Sequence, residues 1–272
     1  MRMPAVAGQF YIGTAEALAR EIEECYKHEL GPGGLPDDGA AEEVTGLVSP
    51  HAGYMFSGPI AAHGYRALGK RGIEGKTAVI IGPNHTGIGS PIAVSSEDHK
   101  TPLGVARVDA AAVGALVEAG IPEDPTAHAF EHSVEVQIPF LQHLTRKFKI
   151  VPLVMMAQDI SSARRLGRAL RELPQEYLVY IASTDLSHYV PRDVARAGDS
   201  MAIECILKGD PESLFRTVTE KRISMCGFGP VMAMQMAIGD AEVRLLKYGT
   251  SGDVREMREV VGYASILHRR VR

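Results

Sequence analysis

The stretch TAVIIGPNH, Thr77 to His85, joins a short apolar run to a glycine, a proline, an asparagine and a histidine. A run rich in Val and Ile and bounded by Gly and Pro is typical of a buried β-strand. Pro83 cannot donate a hydrogen bond to a neighbouring strand, so we expect the strand to end there. His85 then lies just beyond the carboxyl end of a central strand.

The same arrangement occurs in VTGLVSPH, which ends at His51, and in YLVYIASTDLSH, which contains Asp185 and ends at His188. In open α/β sheets, ligands bind in the crevice outside the carboxyl ends of the strands. If these strands are parallel neighbours, their histidines converge on that crevice. One histidine in a turn is usually a loop residue, whereas three at equivalent positions favour a shared metal or acid/base site.

Further apolar runs alternate with amphipathic stretches along the chain, and this alternation is typical of βαβ units. It predicts a single α/β domain over residues 1–272, with a mainly parallel central sheet and helices on both faces. The Gly-, Pro- and acid-rich segment Gly31–Glu43 is expected to be a surface loop rather than a domain linker. The predicted strands are VTGLVSP, TAVIIGP, PIAVSS, KIVPLVMM, YLVYIAS, EVRLLKYG and VVGYASIL. The predicted helices cover Thr14–His28, Pro59–Leu68, Ala110–Ala119, Val134–Phe148, Ser161–Leu173, Asp193–Leu207, Pro211–Lys221 and Pro230–Ile238.

A cysteine, Cys226, precedes the turn and Met-rich helix of SMCGFGP. The positive end of the helix dipole is expected to lower the pKa of its thiol and to favour the metal-binding thiolate. A buried, inert thiol is the alternative, and the sequence leaves both interpretations open.

A second polar segment, AFEHSVEVQIPFLQHL, carries Glu131 and His132 at the start of a helical pattern. His132 could face the crevice, and Glu135 and Gln137 are candidates for holding the second nitrogen of a ligand histidine. The remaining histidines in polar contexts are expected at the surface, namely His28, His99, His128 and His268.

The composition excludes several classes of function. The chain has 272 residues, 29 basic and 33 acidic, interspersed along its length, which argues against nucleic acid or an anionic membrane as a partner. No apolar run approaches the roughly 20 residues that cross a bilayer, so a cytoplasmic location is expected. The 3 cysteines are too few for a disulfide framework. Nucleotide-loop, HExxH, CxxC and GxSxG motifs do not occur in the sequence.

Several longer motifs together resemble one known family. RMPAVAGQFY, SPHAGYMFSG, IGPNHTG, EHSVEVQIPFLQ, ASTDLSHY, MCGFGP and YGTSGDVREMREVVGYAS follow in order from about residue 2 to about residue 266. They are similar to the Memo family, named for a mediator of ErbB2-driven cell motility. The resemblance implies the fold of class III extradiol dioxygenases, in which two histidines and a carboxylate hold iron at one end of an α/β sheet.

The resemblance also implies roles for individual residues. His51 and His85 match the metal-binding histidines, and Cys226 stands where the dioxygenases have their carboxylate. His188 matches the acid/base histidine with Asp185 beside it, and His132 belongs to the same pocket motif, which makes these three the catalytic candidates. Because a thiolate is a softer ligand than a carboxylate, the implied metal is iron or copper, with zinc as a weaker alternative.

Three hypotheses about function follow. The first is a metal-dependent oxidoreductase or oxygenase, and the second is a binding module that keeps a vestigial pocket for a peptide or small molecule. The third is a zinc-dependent hydrolase, for which the sequence provides no water-activating glutamate by motif. Prokaryotic members of the family often accompany a radical-SAM protein and an AMMECR-family protein, which implies a shared pathway.

Overall fold

The computed structural model describes residues 1–36 and 43–271, so the middle of the predicted Gly31–Glu43 loop lies outside the described residues. All seven predicted strands are present. Two short strands, β4 (His99–Thr101) and β5 (Gly104–Val108), were not predicted, because the polar HKT and the interrupted GVARV give no continuous apolar run. The strands are β1 (Val44–Ser49), β2 (Thr77–Pro83), β3 (Ile92–Val94), β4 (His99–Thr101), β5 (Gly104–Val108), β6 (Lys149–Met155), β7 (Leu178–Ser183), β8 (Ala241–Thr250) and β9 (Gly262–Arg270).

These strands form one mixed sheet in the order β4-β5-β6-β2-β7-β1-β9-β8, with β3 paired to β6. The central strands β5, β6, β2, β7 and β1 are mutually parallel, while β4, β3, β9 and β8 pair antiparallel. Every residue of β2 is buried, as expected for a parallel strand covered on both faces. The carboxyl ends of β1, β2 and β7 therefore open at one edge, as the sequence predicts.

Helices cover both faces of the sheet, which confirms the predicted α/β architecture. The helices are α1 (Ala15–Lys27), α2 (Tyr54–Ile73), α3 (Ala110–Glu118), α4 (Ile138–Leu144), α5 (Ile160–Arg171), α6 (Arg192–Leu207), α7 (Pro211–Lys221), α8 (Phe228–Ile238) and α9 (Ser251–Val254). Alternate strand residues point to opposite faces, so Leu47 and Ile80 pack against α1, α2 and α4, while Val48 and Val79 pack against α3 and α5 to α8.

Two predicted helix boundaries are wrong. Helix α2 begins at Tyr54 rather than Pro59, so Pro59 lies inside it, and Gly69 interrupts it with a φ of 57°. The predicted Val134–Phe148 helix is a 3₁₀ turn followed by the short helix α4. The proline Pro139 occupies the first turn of α4, where its missing N–H costs nothing. None of the helices in the described part of the chain is long and apolar enough to cross a membrane.

The glycine Gly82 in β2 marks a close approach to the segment that carries His132. A Cβ atom built at Gly82 would lie 2.2 Å from Ser133 Oγ and 2.8 Å from Ser133 Cβ. Ser133 is fully buried, and its hydroxyl donates to the carbonyl of Pro83, so it has little freedom to move.

We therefore predict that Gly82→Ala lowers the free energy of unfolding by about 1–3 kcal/mol, because the added methyl overpacks this contact. Urea denaturation measures the change. The matched control is Gly114→Ala in α3, where a Cβ has open space, and this change should stabilise the chain by about 0.5–1 kcal/mol. Equal effects of the two substitutions would contradict the packing described for Gly82.

Candidate metal centre

Three histidines meet at the carboxyl edge of the sheet. His51 follows β1, His85 follows β2, and His132 lies in the loop before α4. Their ring centroids are 5.2 Å apart for His51 and His85, 5.4 Å for His51 and His132, and 4.8 Å for His85 and His132. One donor atom from each lies within 4.8 Å of the others, so the group could hold a metal ion.

The buried His51 has a defined tautomer because of Ser183. Its Nδ1 lies 2.8 Å from Ser183 Oγ. The only hydrogen of that hydroxyl goes to the carbonyl of Ser133 at 2.6 Å. The same oxygen accepts from the amide of Gln137 at 2.7 Å. Nδ1 must therefore be the donor to Ser183, which leaves the lone pair of His51 Nε2 directed into the pocket.

A carboxylate fixes His85 in the same way. His85 Nδ1 lies 2.9 Å from Glu131 Oε1, and a carboxylate can only accept, so Nε2 of His85 also presents a lone pair. Glu131 accepts three backbone N–H groups as well, those of His85, His132 and Ser133. Burial acts to raise the pKa of Glu131, but the hydrogen bonds from His85 and from these backbone groups outweigh it and lower the pKa to about 2.

A cysteine thiol completes one side of the pocket. Cys226 Sγ lies 3.3 Å from His51 Nε2, and because that nitrogen carries no hydrogen, the thiol donates to it. Two ligands with bonds of about 2.3 Å to sulfur and about 2.1 Å to nitrogen would lie at a similar separation on one ion. The thiol hydrogen therefore lies where a metal ion shared by Cys226 and His51 would bind. Cys226 is not a member of the group of mutually close donors, which consists of the three histidines.

The expected effect of the helix dipole on Cys226 is wrong. Burial raises the pKa of its thiol, and the charge of Asp185 raises it further. The backbone N–H of Asp185, which donates to Sγ at 3.2 Å, does not offset these effects. Desolvation is the largest of these effects, and it favours the neutral thiol.

The structure places His188 and Asp185 beside this pocket with different contacts. His188 Nδ1 donates to the carbonyl of Ser224 at 2.8 Å, so its Nε2 carries a lone pair and can accept a proton. Asp185 Oδ1 accepts the backbone N–H of His51 at 2.9 Å, and burial raises the pKa of Asp185. The catalytic roles of these residues and of His132 remain predictions.

Gln137 supports His51 through Ser183, but Glu135 does not hold a histidine. Glu135 instead forms a buried ion pair with Arg2 at 2.7 Å and accepts the hydroxyl of Tyr11 at 2.5 Å. Arg2 also donates to the carbonyls of His128 and Glu131. The N-terminal segment is thereby tied to the loop that carries His132, and Phe10 contacts the His132 ring edge-on at 4.7 Å.

Sequence reasoning missed Glu131 and Ser183 as supports of the pocket, and it did not assign Arg2 any role. Glu131 lies 46 residues from His85 and Ser183 lies 132 residues from His51, so the sequence gave no signal of these contacts, although each residue lies inside a motif that resembles the family. Three of the four histidines expected at the surface are buried, namely His99, His128 and His268. Tertiary packing buries each of them, and the polar residues beside them in the sequence give no indication of this burial.

Comparisons with known proteins agree with this architecture. The family model described as Memo-like protein matches residues 2–267. A MEMO1 family protein of Methanopyrus kandleri is 46% identical and aligns over 99% of both chains. A MEMO1 family protein of Methanocaldococcus jannaschii is 44% identical over 98% of both chains. One from Pyrobaculum aerophilum is 45% identical over 98% of both chains.

A solved structure shares the fold at much lower sequence identity. The crystal structure of an uncharacterized protein from Escherichia coli K12 superimposes with a TM-score of 0.58 and 17% identity. The match covers 82% of this chain and 99% of that one. At this identity the likeness supports the fold alone.

The lowered pKa of Glu131 predicts a dependence of stability on pH. A carboxylate whose pKa falls from 4.5 in the unfolded chain to about 2 in the folded chain stabilises the fold above pH 4.5. That contribution, on the order of 3 kcal/mol, is lost as the pH falls towards 2.

Glu131→Gln removes the titrating group but keeps an acceptor for His85. Denaturation curves at pH 6 and pH 2.5 should show a larger loss of stability for the wild-type chain than for this variant. Identical pH profiles for the two chains would contradict the electrostatic role given to Glu131.

Proposed function

The chain belongs to the Memo family, and on that basis we propose that the pocket at the carboxyl edge of its sheet binds one iron or copper ion for redox chemistry. The substrate would be a small organic molecule that enters beside the ion. The proposal rests on the Nε2 atoms of His51 and His85. Each presents a lone pair to the pocket, because the Nδ1 atom of the same ring donates a hydrogen bond to a neighbouring oxygen. Ligand histidines in metalloproteins are oriented in this way.

We assign Cys226 as the third ligand, with His132 as the competing candidate. Cys226 Sγ lies 3.3 Å from His51 Nε2, which suits two ligands of one ion. His132 belongs to the group of mutually close donors, and its Nδ1 lies 3.5 Å from Glu131. Either choice leaves coordination positions for substrate, as a redox site requires.

The donor set supports iron or copper over hard cations. Imidazole and thiolate are the ligands that iron, copper and zinc prefer, whereas magnesium and calcium prefer oxygen. Zinc also accepts this set, and a zinc hydrolase would need a free carboxylate to activate water. Both nearby carboxylates are engaged, which disfavours the hydrolase. Glu131 accepts from His85 and from three backbone N–H groups, and Asp185 accepts the backbone N–H of His51.

The chain's own residues would support proton transfer during such a reaction. A bound iron or copper ion would supply one-electron chemistry that the side chains lack. His188 is placed to exchange a proton at Nε2, because Ser224 holds the proton of the other nitrogen. Asp185 fixes the backbone at His51 and would keep that ligand in place.

A second candidate function is a binding module that retains the pocket without turnover. Two large apolar side chains beside the pocket residues favour it. Phe130 next to Glu131 and Tyr189 next to His188 are each 73% exposed. Such side chains are suited to contact a peptide or a flat small molecule.

Metal analysis of variants tests the proposal. Protein purified under anaerobic, reducing conditions should contain close to one equivalent of iron or copper, and His51→Ala should remove most of it. Cys226→Ser should reduce the metal content more strongly than His132→Ala if sulfur is the third ligand. His63→Gln in α2 is the control, since His63 lies outside the group and bonds the carbonyl of Leu30.

Circular dichroism must show that each variant is folded. A wild-type chain without metal would contradict the proposal and favour the binding module. Retention of zinc in preference to iron and copper would instead support the zinc-dependent hydrolase.

A further inference from the structure

A cleft of about 710 Å³ lies at the amino edge of the sheet, opposite the histidine pocket. We call it the amino-edge cleft. Its volume falls in the range of small-molecule sites. Its walls come from the starts of β2, β6 and β7, the end of β5, the first turns of α3 and the two loops that precede β6 and β7.

Basic side chains form a row along this cleft. Lys149 at the start of β6 is paired in register with Arg107 of β5 on one side and with Thr77 of β2 on the other. The loops next to these strands add three more cations to the lining, Lys76, Arg146 and Lys147. The lining thus holds five cations, although the chain as a whole carries a net charge of -4.

The carboxylates around the cleft leave part of this charge uncompensated. Asp109 is the single carboxylate among the described lining residues; it accepts the hydroxyl of Thr77 at 2.6 Å, caps α3 and lies 3.9 Å from Lys149. Outside the lining, Asp98 pairs with Arg107 at 2.5 Å, and Glu74 lies 3.8 Å from Lys147.

Lys76 also lies near the charges of Glu43 and Arg270, which add one carboxylate and one cation to the charges around the cleft. With both included, six cations face four carboxylates among the residues that the structure describes. An anionic ligand would therefore be attracted to the cleft.

The floor of the cleft is apolar. Phe148, Leu173 and Leu178 are buried beneath it, while the ring of Tyr177 is 61% exposed at its edge. An aromatic ring can stack on Tyr177 and cover the apolar floor. Lysine and arginine side chains at the rim bind phosphate oxygens by charge-assisted hydrogen bonds.

We propose that the amino-edge cleft binds a small organic phosphate that carries a planar ring. The phosphate would contact Lys149 and Arg146, and the ring would lie against Tyr177. This site is separate from the histidine pocket, because β2 spans the seven residues from Thr77 to Pro83, which is about 20 Å at about 3.3 Å per residue. The proposal does not depend on a metal in that pocket.

Isothermal titration of the full chain with adenosine 5′-monophosphate tests the proposal. We expect saturable binding to one site that weakens at least tenfold in Arg146→Gln/Lys149→Gln. Circular dichroism checks that this variant is folded, because Arg146 also donates to the carbonyl of Leu103. Arg164→Gln/Arg168→Gln on α5 removes the same charge outside the cleft and should leave the affinity unchanged. Adenosine and inorganic phosphate, tested separately, should each bind at least tenfold more weakly than the intact nucleotide.

Three results would overturn the proposal. Equal affinity of the wild-type chain and the Arg146/Lys149 variant would remove the cleft as the site. Binding of inorganic phosphate as tight as that of the nucleotide would exclude a role for the apolar floor. Loss of binding in His51→Ala would place the nucleotide in the histidine pocket instead.

Discussion

The single hydroxyl hydrogen of Ser183 decides the chemistry of the histidine pocket. Because that hydrogen bonds the carbonyl of Ser133, the oxygen can only accept from His51 and Gln137. Gln137 is itself fixed, since its amide also donates to the carbonyl of Pro50 and its oxygen accepts the hydroxyl of Tyr65. The chain of fully satisfied hydrogen bonds leaves His51 one orientation and one tautomer, with its lone pair in the pocket.

Burial disfavours the charged forms of the titrating groups that line this pocket. Desolvation lowers the pKa of His51 and raises the pKa values of Cys226 and Asp185, so all three are shifted towards their uncharged forms. A divalent cation would reverse this balance, because it stabilises a thiolate and repays the cost of desolvation. The same burial that keeps the thiol inert without metal therefore couples metal binding to proton release.

The sequence predicted those features that depend on local pattern. The β-branched runs that end at His51 and His85 identified two central strands and the edge where they open, and the resemblance to a family added Cys226. The role of Glu131 could not be predicted, because its contact with His85 spans 46 residues. The pKa of Cys226 depends on how deeply it is buried, which the helix-dipole argument did not include. No sequence motif indicated the amino-edge cleft, because its cations lie on separate loops and strands that come together only in the folded sheet.

X-ray absorption at the metal edge of anaerobically purified protein measures the ligands of the bound ion. We expect iron or copper with nitrogen neighbours at about 2.0–2.1 Å and a sulfur neighbour at about 2.3 Å. The sulfur signal should disappear in Cys226→Ser while nitrogen neighbours remain. A wild-type spectrum with nitrogen and oxygen neighbours alone would contradict the assignment of Cys226, and the absence of a metal edge would contradict the metal site itself.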